Sequence, residues 1–184
     1  MDLSLLHQLN LLFARHDGLE DPLVAYANAS EILFLGVLVV AFVVSRGARR
    51  AVVAAGLSAG LGLAVAAVIS RLVDRPRPFV AHPDTVHLFA HHAADPGFPS
   101  DHATAAFAIA VALLLRSRRW GLLALAAATL LALTRVAMGI HYPTDVLAGA
   151  AIGSLAALTL HQPRVRALLD ALPQPSVELS MTKR

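Results

Sequence analysis

Five long apolar stretches constrain the fold of this chain more than any other feature. A helix needs about 20 residues, at a rise of 1.5 Å each, to cross about 30 Å of hydrocarbon. The five stretches lie near residues 24–44, 51–70, 100–115, 120–138 and 144–160, and the third is short. They predict an all-α, integral membrane helical bundle of five to six helices, the sixth depending on the N-terminal segment.

The N-terminal segment LSLLHQLNLLFARH has an amphipathic helical pattern. Its apolar residues are expected on one face: Leu5, Leu6, Leu9, Leu12 and Phe13. Its polar residues are expected elsewhere: Asp2, Ser4, Gln8 and Asn10. This pattern predicts an interfacial helix or an imperfect sixth span. No basic region precedes it, which argues against a signal peptide.

Composition supports a membrane protein and argues against other classes. Of the 184 residues, 57% are hydrophobic, and cysteine is absent, so disulfide and thiolate chemistry are excluded. The pI near 10.2 does not indicate nucleic-acid binding, because the cations form short clusters between apolar stretches. We expect one membrane domain over residues 1–161, followed by a cytoplasmic C-terminal tail over 162–184.

The distribution of Lys and Arg predicts the orientation in the membrane. Of the 15 cations, the larger group follows the first, third and fifth stretches: Arg46, Arg49, Arg50, Arg116, Arg118, Arg119, Arg164, Arg166, Lys183 and Arg184. The positive-inside rule makes that side cytoplasmic. Three polar segments then share the outer face: SRLVDRPRPFV, FPSDHAT and TRVAMGIHYPTD. Their convergence predicts a functional site.

The arginines of these segments favour phosphate chemistry. Arg71, Arg75, Arg77 and Arg135 carry planar, permanently charged donors that match phosphate oxygens. A basic loop that holds anionic lipid head groups is an equal alternative from the arginines alone.

The segment PSDH is expected at the start of the third membrane helix. Ser100 is the expected N-cap, with Asp101 and His102 in the first turn. Free backbone N–H groups at that end can bind an anion, and His102 can donate a proton. Simple helix capping is the preferred alternative for Ser100 and Asp101, whereas a histidine brings no capping advantage.

The third segment is the most specific. Asp145 falls in the first turn of the last helix, close enough to receive a hydrogen bond from His141. Such a carboxylate would fix the tautomer of His141 and leave its other nitrogen free to attack phosphorus. An interfacial His–Asp pair without catalysis is the alternative.

With these segments assembled, the chain resembles the type 2 phosphatidic acid phosphatase superfamily. Its motifs are Lys-x6-Arg-Pro, Pro-Ser-Gly-His and Ser-Arg-x5-His-x3-Asp. Here RPRP ends at Arg77 and Pro78, PSDH is the second motif, and TRVAMGIHYPTD is the third. The sequence departs from these motifs at three positions. Ser70 stands where the family has lysine, and the adjacent Arg71 is a candidate replacement. Asp101 stands in place of Gly, and Thr134 in place of Ser.

PSDH, RPRPF and a small membrane body resemble the bacitracin-resistance branch of bacterial undecaprenyl-diphosphatases. The resemblance implies hydrolysis of undecaprenyl diphosphate at the outer face of the cytoplasmic membrane, with no cofactor, no metal and no nucleic-acid partner. It implies a phosphohistidine on His141, oriented by Asp145, with His102 as acid and then base. It also implies that phosphate oxygens are held by Arg77, Arg135, Ser100 and the backbone near Asp101.

Other interpretations remain open at this point. The enzyme alternative is a broader lipid phosphatase acting on phosphatidic acid or phosphatidylglycerol phosphate, and the non-enzyme alternative is a protein that binds anionic lipids. A metal site or, preferably, a solvated lid is compatible with the residues His82, Asp84, His87, His91, His92 and Asp95. Glu31 is costly in lipid and is expected to face the bundle.

Overall fold

The protein is an all-helical bundle, as predicted. The computed structural model describes residues 2–44, 49–163, 165 and 167, and no strand occurs among them. Its helices are α1 (Asp2–Ala14), α2 (Asp17–Val44), α3 (Arg49–Val73), α4 (Pro78–Ala81), α5 (Asp101–Leu114), α6 (Arg118–Ala137) and α7 (Pro143–His161).

Helix α5 lies at the centre of the bundle and packs most extensively against α7, then against α6 and α3. Its buried positions are mostly alanines, and small residues let membrane helices approach closely. On α7, a Cβ added at Gly149 would lie 2.5 Å from the carbonyl oxygen of Ser100. Helices α5 and α7 therefore pack backbone against backbone, which brings their first turns together.

Within the described part of the chain, three stretches are long and apolar enough to cross a membrane: Arg49–Ala81, Arg118–Ala137 and Pro143–His161. Helix α2 adds a fourth if its two parts, Asp21–Ser30 and Ile32–Val40, count as one span bent by 53°. Their outward aliphatic side chains suit contact with hydrocarbon. Helix α5 has only 14 residues and is packed between α3, α6 and α7.

The apolar face of α1 is only partly buried against the bundle. Leu6 and Phe13 are buried, whereas Leu5 and Leu12 are 49% and 48% exposed, and the polar Asn10 is fully buried. With 13 residues the helix is about 20 Å long and is not among the stretches that could cross a membrane. It packs mainly against α6, with smaller contacts to α2 and α7.

Asn10 is buried because its side chain binds backbone groups on two other segments. Its amide donates to the carbonyl oxygens of His87 and Ala137, both at 2.8 Å, and its oxygen accepts from the His87 N–H at 2.9 Å. Beside it, Gly139 has a φ of +76°, and a Cβ there would lie 2.6 Å from the His87 oxygen. The connection after α4 is thereby fixed against the end of α6.

The Pro-rich connection between α3 and α5 has little regular structure and contains only the four-residue α4. It lies where α3 and α6 end and where α5 and α7 begin. The opposite end of the bundle brings together Ser58, Arg116 and His161, which line one small cleft.

Residues outside the described part include Arg46, Arg164, Arg166 and the 168–184 tail, and the side chain of Glu31 also lies outside it. The tail boundary stays a prediction.

Candidate active site

His141 lies in the turn between α6 and α7 and is only 2% exposed. Its Nδ1 is 2.9 Å from the carbonyl oxygen of Gly97. Because a carbonyl can only accept, Nδ1 carries the hydrogen and Nε2 carries a lone pair. Arg77 Nη1 donates to that Nε2 at 3.1 Å. The predicted hydrogen bond to Asp145 is replaced by the Gly97 contact, because Asp145 Oδ2 lies 3.7 Å from Nδ1, too far for a direct bond.

The surroundings of His141 keep its ring neutral. Burial, together with the positive charges of Arg77 and Arg135, lowers the pKa of His141 to about 4, although Asp145 opposes the shift. At neutral pH the ring is therefore unprotonated on Nε2. This is the form of imidazole that can act as a nucleophile.

Asp145, the third residue of α7, has no exposed surface. Its Oδ2 accepts from the Tyr142 N–H at 2.8 Å, and its Oδ1 accepts from Arg75 at 2.8 Å. A buried carboxylate is tolerated when it is paired and hydrogen-bonded in this way. Its main-chain oxygen also accepts from the Ser100 N–H at 3.0 Å, which joins the first turns of α7 and α5.

Arg77 comes directly before α4 and is 6% exposed. Its Nε donates to Asp95 Oδ1 at 3.0 Å. Partial burial raises the pKa of Asp95, but the hydrogen bond and charge of Arg77 outweigh this effect and leave it below its usual value. A Cβ at Gly97 would lie 3.0 Å from Arg77 Cγ, so glycine lets this loop pass directly along the arginine.

Arg135, near the end of α6, is 3% exposed and faces the start of α5. Its Nη2 lies 2.9 Å from Nδ1 and 3.0 Å from Nε2 of His102, and 3.5 Å from Nε2 of His92. Because arginine can only donate, the His102 nitrogen that accepts this bond carries no proton. Ser100 is the predicted N-cap of α5, and its Oγ accepts from the Ala103 N–H at 3.4 Å.

Most of the predicted site residues meet at this end of the bundle: Arg77, Ser100, His102, Arg135, His141 and Asp145. Arg75 lies beside Asp145, and Asp101 is exposed at the start of α5. Arg71 is exposed at the end of α3, and no described residue forms a hydrogen bond or ion pair with it. Its predicted replacement of the family lysine gains no support from this position.

Sequence reasoning assigned no specific contact to Gly97, Asp95 or His92. Gly97 and Asp95 stand in ADPGFPSDH, directly before the second motif, so their proximity to the site could have been inferred. The contacts of His92 depend on how the loop folds back, for which the sequence carries no periodic signal. Within the described ranges, no group of three or more potential ligands is arranged to hold a metal ion. The buried positive charges of the site are guanidiniums.

Comparison with known proteins agrees with the motifs. The sequence model of the PAP2 superfamily matches residues 51–167. Undecaprenyl-diphosphatase BcrC of Bacillus subtilis is 35% identical over 136 residues, which cover 73% of this chain and 69% of that protein. Putative undecaprenyl-diphosphatase YbjG of Escherichia coli is 37% identical over 112 residues, covering 60% of this chain and 56% of that protein. The crystal structure of Aquifex aeolicus LpxE superposes with a TM-score of 0.75 at 26% identity, covering 86% of this chain and 93% of that one.

Proposed function

The chain belongs to the PAP2 superfamily, and on this premise we propose that it hydrolyses undecaprenyl diphosphate to undecaprenyl phosphate and inorganic phosphate. The names of its relatives BcrC and YbjG support this substrate. The observation that carries the chemistry is the state of His141. Its Nδ1 hydrogen is held by the Gly97 oxygen, and its Nε2 lone pair faces a buried guanidinium.

In the proposed first step, oxygens of the terminal phosphate take over the hydrogen bonds that Arg77 and Arg135 donate to protein groups in this structure. Ser100 lies beside the bound phosphate. His141 Nε2 attacks the terminal phosphorus, so an N–P bond forms and the bridging P–O bond breaks. The electron pair goes to the bridging oxygen, and undecaprenyl phosphate leaves. The Gly97 carbonyl and the Asp145 carboxylate stabilise the positive charge that develops on the imidazole.

His102 is the proposed proton carrier in both steps. In the first step, once the phosphate has taken over the Arg135 donor, protonated His102 gives its proton to the bridging oxygen as the monophosphate leaves. In the second step, His102 accepts a proton from the attacking water. The water oxygen bonds to phosphorus, the N–P bond breaks, and inorganic phosphate is released with neutral His141 restored. The guanidiniums supply the positive charge that a metal ion supplies in other phosphatases.

The protein is a multi-pass membrane protein, and we place the reaction at its surface. The diphosphate would sit at the interface while the isoprenoid lies in lipid beside the bundle. The arginine distribution supports an outer, periplasmic or extracellular location for this end.

The proposal is tested with purified protein in detergent and EDTA present. We expect phosphate release from undecaprenyl diphosphate, at a higher kcat/KM than from phosphatidic acid or phosphatidylglycerol phosphate. A preference for either of these two would instead assign a broader lipid phosphatase. Absence of turnover on every lipid phosphate would favour a protein that only binds anionic lipids.

A further inference from the structure

Arg75 is bound on both sides by carboxylates. Its Nη1 donates to Asp145 Oδ1 at 2.8 Å and to Thr144 Oγ1 at 2.7 Å, and its Nη2 donates to Asp2 Oδ2 at 2.8 Å. The guanidinium carbon lies 3.9 Å from the centre of the Tyr142 ring, in cation–π contact. The donors of Arg75 therefore point at α7 and α1, and they are already occupied.

Asp2 connects this arginine to the start of α7 from a separate helix. Its Oδ1 accepts from the backbone N–H of Thr144 at 3.1 Å, and its Oδ2 accepts from the Thr144 hydroxyl at 2.6 Å. Thr144 is the second residue of α7, where the backbone N–H has no acceptor within its own helix. The side chain of the N-cap residue Tyr142 makes no capping hydrogen bond. Asp2 thus serves as a cap supplied by α1.

We propose that Arg75 is a positioning residue that holds Asp145, and through it His141, and that Asp2 fixes Arg75 in place. The inference rests on the proposed phosphohistidine mechanism and differs from the phosphate-binding role that the sequence suggests for Arg75. Two physical consequences follow. Arg75 sets the position of Asp145 against the His141 ring, and its charge offsets the buried carboxylate, which would otherwise favour protonation of the nucleophile.

The test compares Arg75→Gln, Arg75→Lys and Asp2→Asn with wild type, on whichever lipid phosphate the wild type hydrolyses. We expect Arg75→Gln to lower kcat about 10- to 100-fold, because supporting partners of catalytic groups have effects of this size. KM and inhibition by inorganic phosphate should stay within about 2-fold of wild type. Arg75→Lys should retain part of kcat, and Asp2→Asn should lose about 2- to 5-fold. The matched control is Asp74→Asn, an exposed carboxylate directly after α3.

The protonation of His141 gives a second readout that needs no turnover. Removing the cation from Asp145 should raise the pKa of His141, measured by ¹⁵N NMR of labelled histidine in detergent, and should move the acid limb of kcat/KM to higher pH. If Arg75→Gln does not fold, as judged by gel filtration, Arg75→Lys and Asp2→Asn are measured in the same way.

Two results would overturn the inference. One is an unchanged kcat with an unchanged His141 pKa in the folded variants. The other is a raised KM and weaker phosphate inhibition at unchanged kcat, which would make Arg75 a direct phosphate ligand. A wild-type protein that hydrolyses no lipid phosphate refutes the proposed function separately, while the NMR titration still decides whether Arg75 controls His141.

Discussion

The two histidines of the site occupy unlike environments. The His141 half, formed by His141, Asp145, Arg77 and Gly97, is buried and fixes both ring nitrogens. The His102 half, formed by His102, Arg135 and His92, is more open, with His102 partly exposed at the start of α5. A nucleophile needs one tautomer and one protonation state, whereas a proton carrier must gain and lose its proton. The greater burial of His141 therefore suits a nucleophile, and the greater exposure of His102 suits a proton carrier.

Removing the enclosed imidazole should have the largest effect. His141→Ala eliminates the atom that bonds to phosphorus, so we expect kcat to fall by about 10⁴-fold or more. His161→Ala, at the opposite end of the bundle, is the matched control and should retain wild-type kcat. Phosphate release by the folded His141→Ala protein at a rate near wild type would refute the nucleophile assignment.

Removing the open imidazole should cost less. His102→Ala should lower kcat about 100-fold on a diphosphate, because general acid–base catalysis contributes on this scale and the monophosphate is already a good leaving group. The loss should be greater on an alkyl phosphate such as phosphatidic acid. An equal loss on both substrates would show that His102 does not protonate the leaving oxygen.

Gly149 tests how the two halves are aligned. In Gly149→Ala the new Cβ would lie 2.5 Å from the Ser100 oxygen and 3.0 Å from Thr104 Oγ1, so α5 must move away from α7. We expect a destabilisation of about 1–3 kcal/mol and an about 10-fold lower kcat. Gly60→Ala is the control, because nothing lies within 4 Å of its added Cβ. Equal stability and equal kcat for both variants would mean that this close contact does not set the site.

Asp95 tests whether a loop carboxylate competes with substrate for the His141 half. Its ionised carboxylate accepts a hydrogen bond from Arg77 Nε, and in the proposed mechanism the substrate phosphate accepts from the same guanidinium. Asp95→Asn should therefore lower KM about 2- to 5-fold with kcat unchanged. Asp84→Asn, in the same connection and exposed, is the control. A higher KM in Asp95→Asn would instead show that Asp95 holds Arg77 ready for substrate.

The smallest expected effect is on stability against pH. The folded protein lowers the pKa of His141 to about 4, while the unfolded chain binds a proton near pH 6.5. The unfolded state therefore holds more protons between these values, and the contribution of His141 to stability is lost as pH falls from 6.5 to 4. Thermal unfolding in detergent at pH 7 and pH 5 should show a smaller decrease in Tm for His141→Gln than for wild type. An equal decrease would contradict the lowered pKa.

The sequence carried the elements of the site but not their contacts. Apolar stretches, the proline-rich connection and the Ser100 cap follow from local patterns, and the alternating threading brings the three motifs to one end. The contacts of Asp2 with Arg75 and Thr144 join residues that are more than 70 positions apart. Their side chains look like ordinary surface residues in the sequence. No periodicity encodes such pairs, because they form only when α1 packs beside α7.

The burial of Asn10 was missed for a related reason. A polar residue on an amphipathic helix is expected to face water, but Asn10 faces inward because its amide binds the main chain at His87 and Ala137. The Gly97 carbonyl was missed because main-chain acceptors have no signature in a sequence. The type of chemistry could thus be predicted from side chains, while the tautomer of His141 required the fold.

The central claim is that Nε2 of His141 forms the bond to phosphorus. The most direct measurement uses His102→Ala, which should slow hydrolysis of the intermediate. The variant is mixed with substrate labelled in the terminal phosphate and quenched rapidly in alkali. Mass spectrometry of the peptides then identifies the residue, and ³¹P NMR identifies the ring nitrogen. We predict one phosphoryl group, on Nε2 of His141. A phosphoryl group on Nδ1 or on another residue, or continued turnover with no phosphorylated protein, would contradict the account.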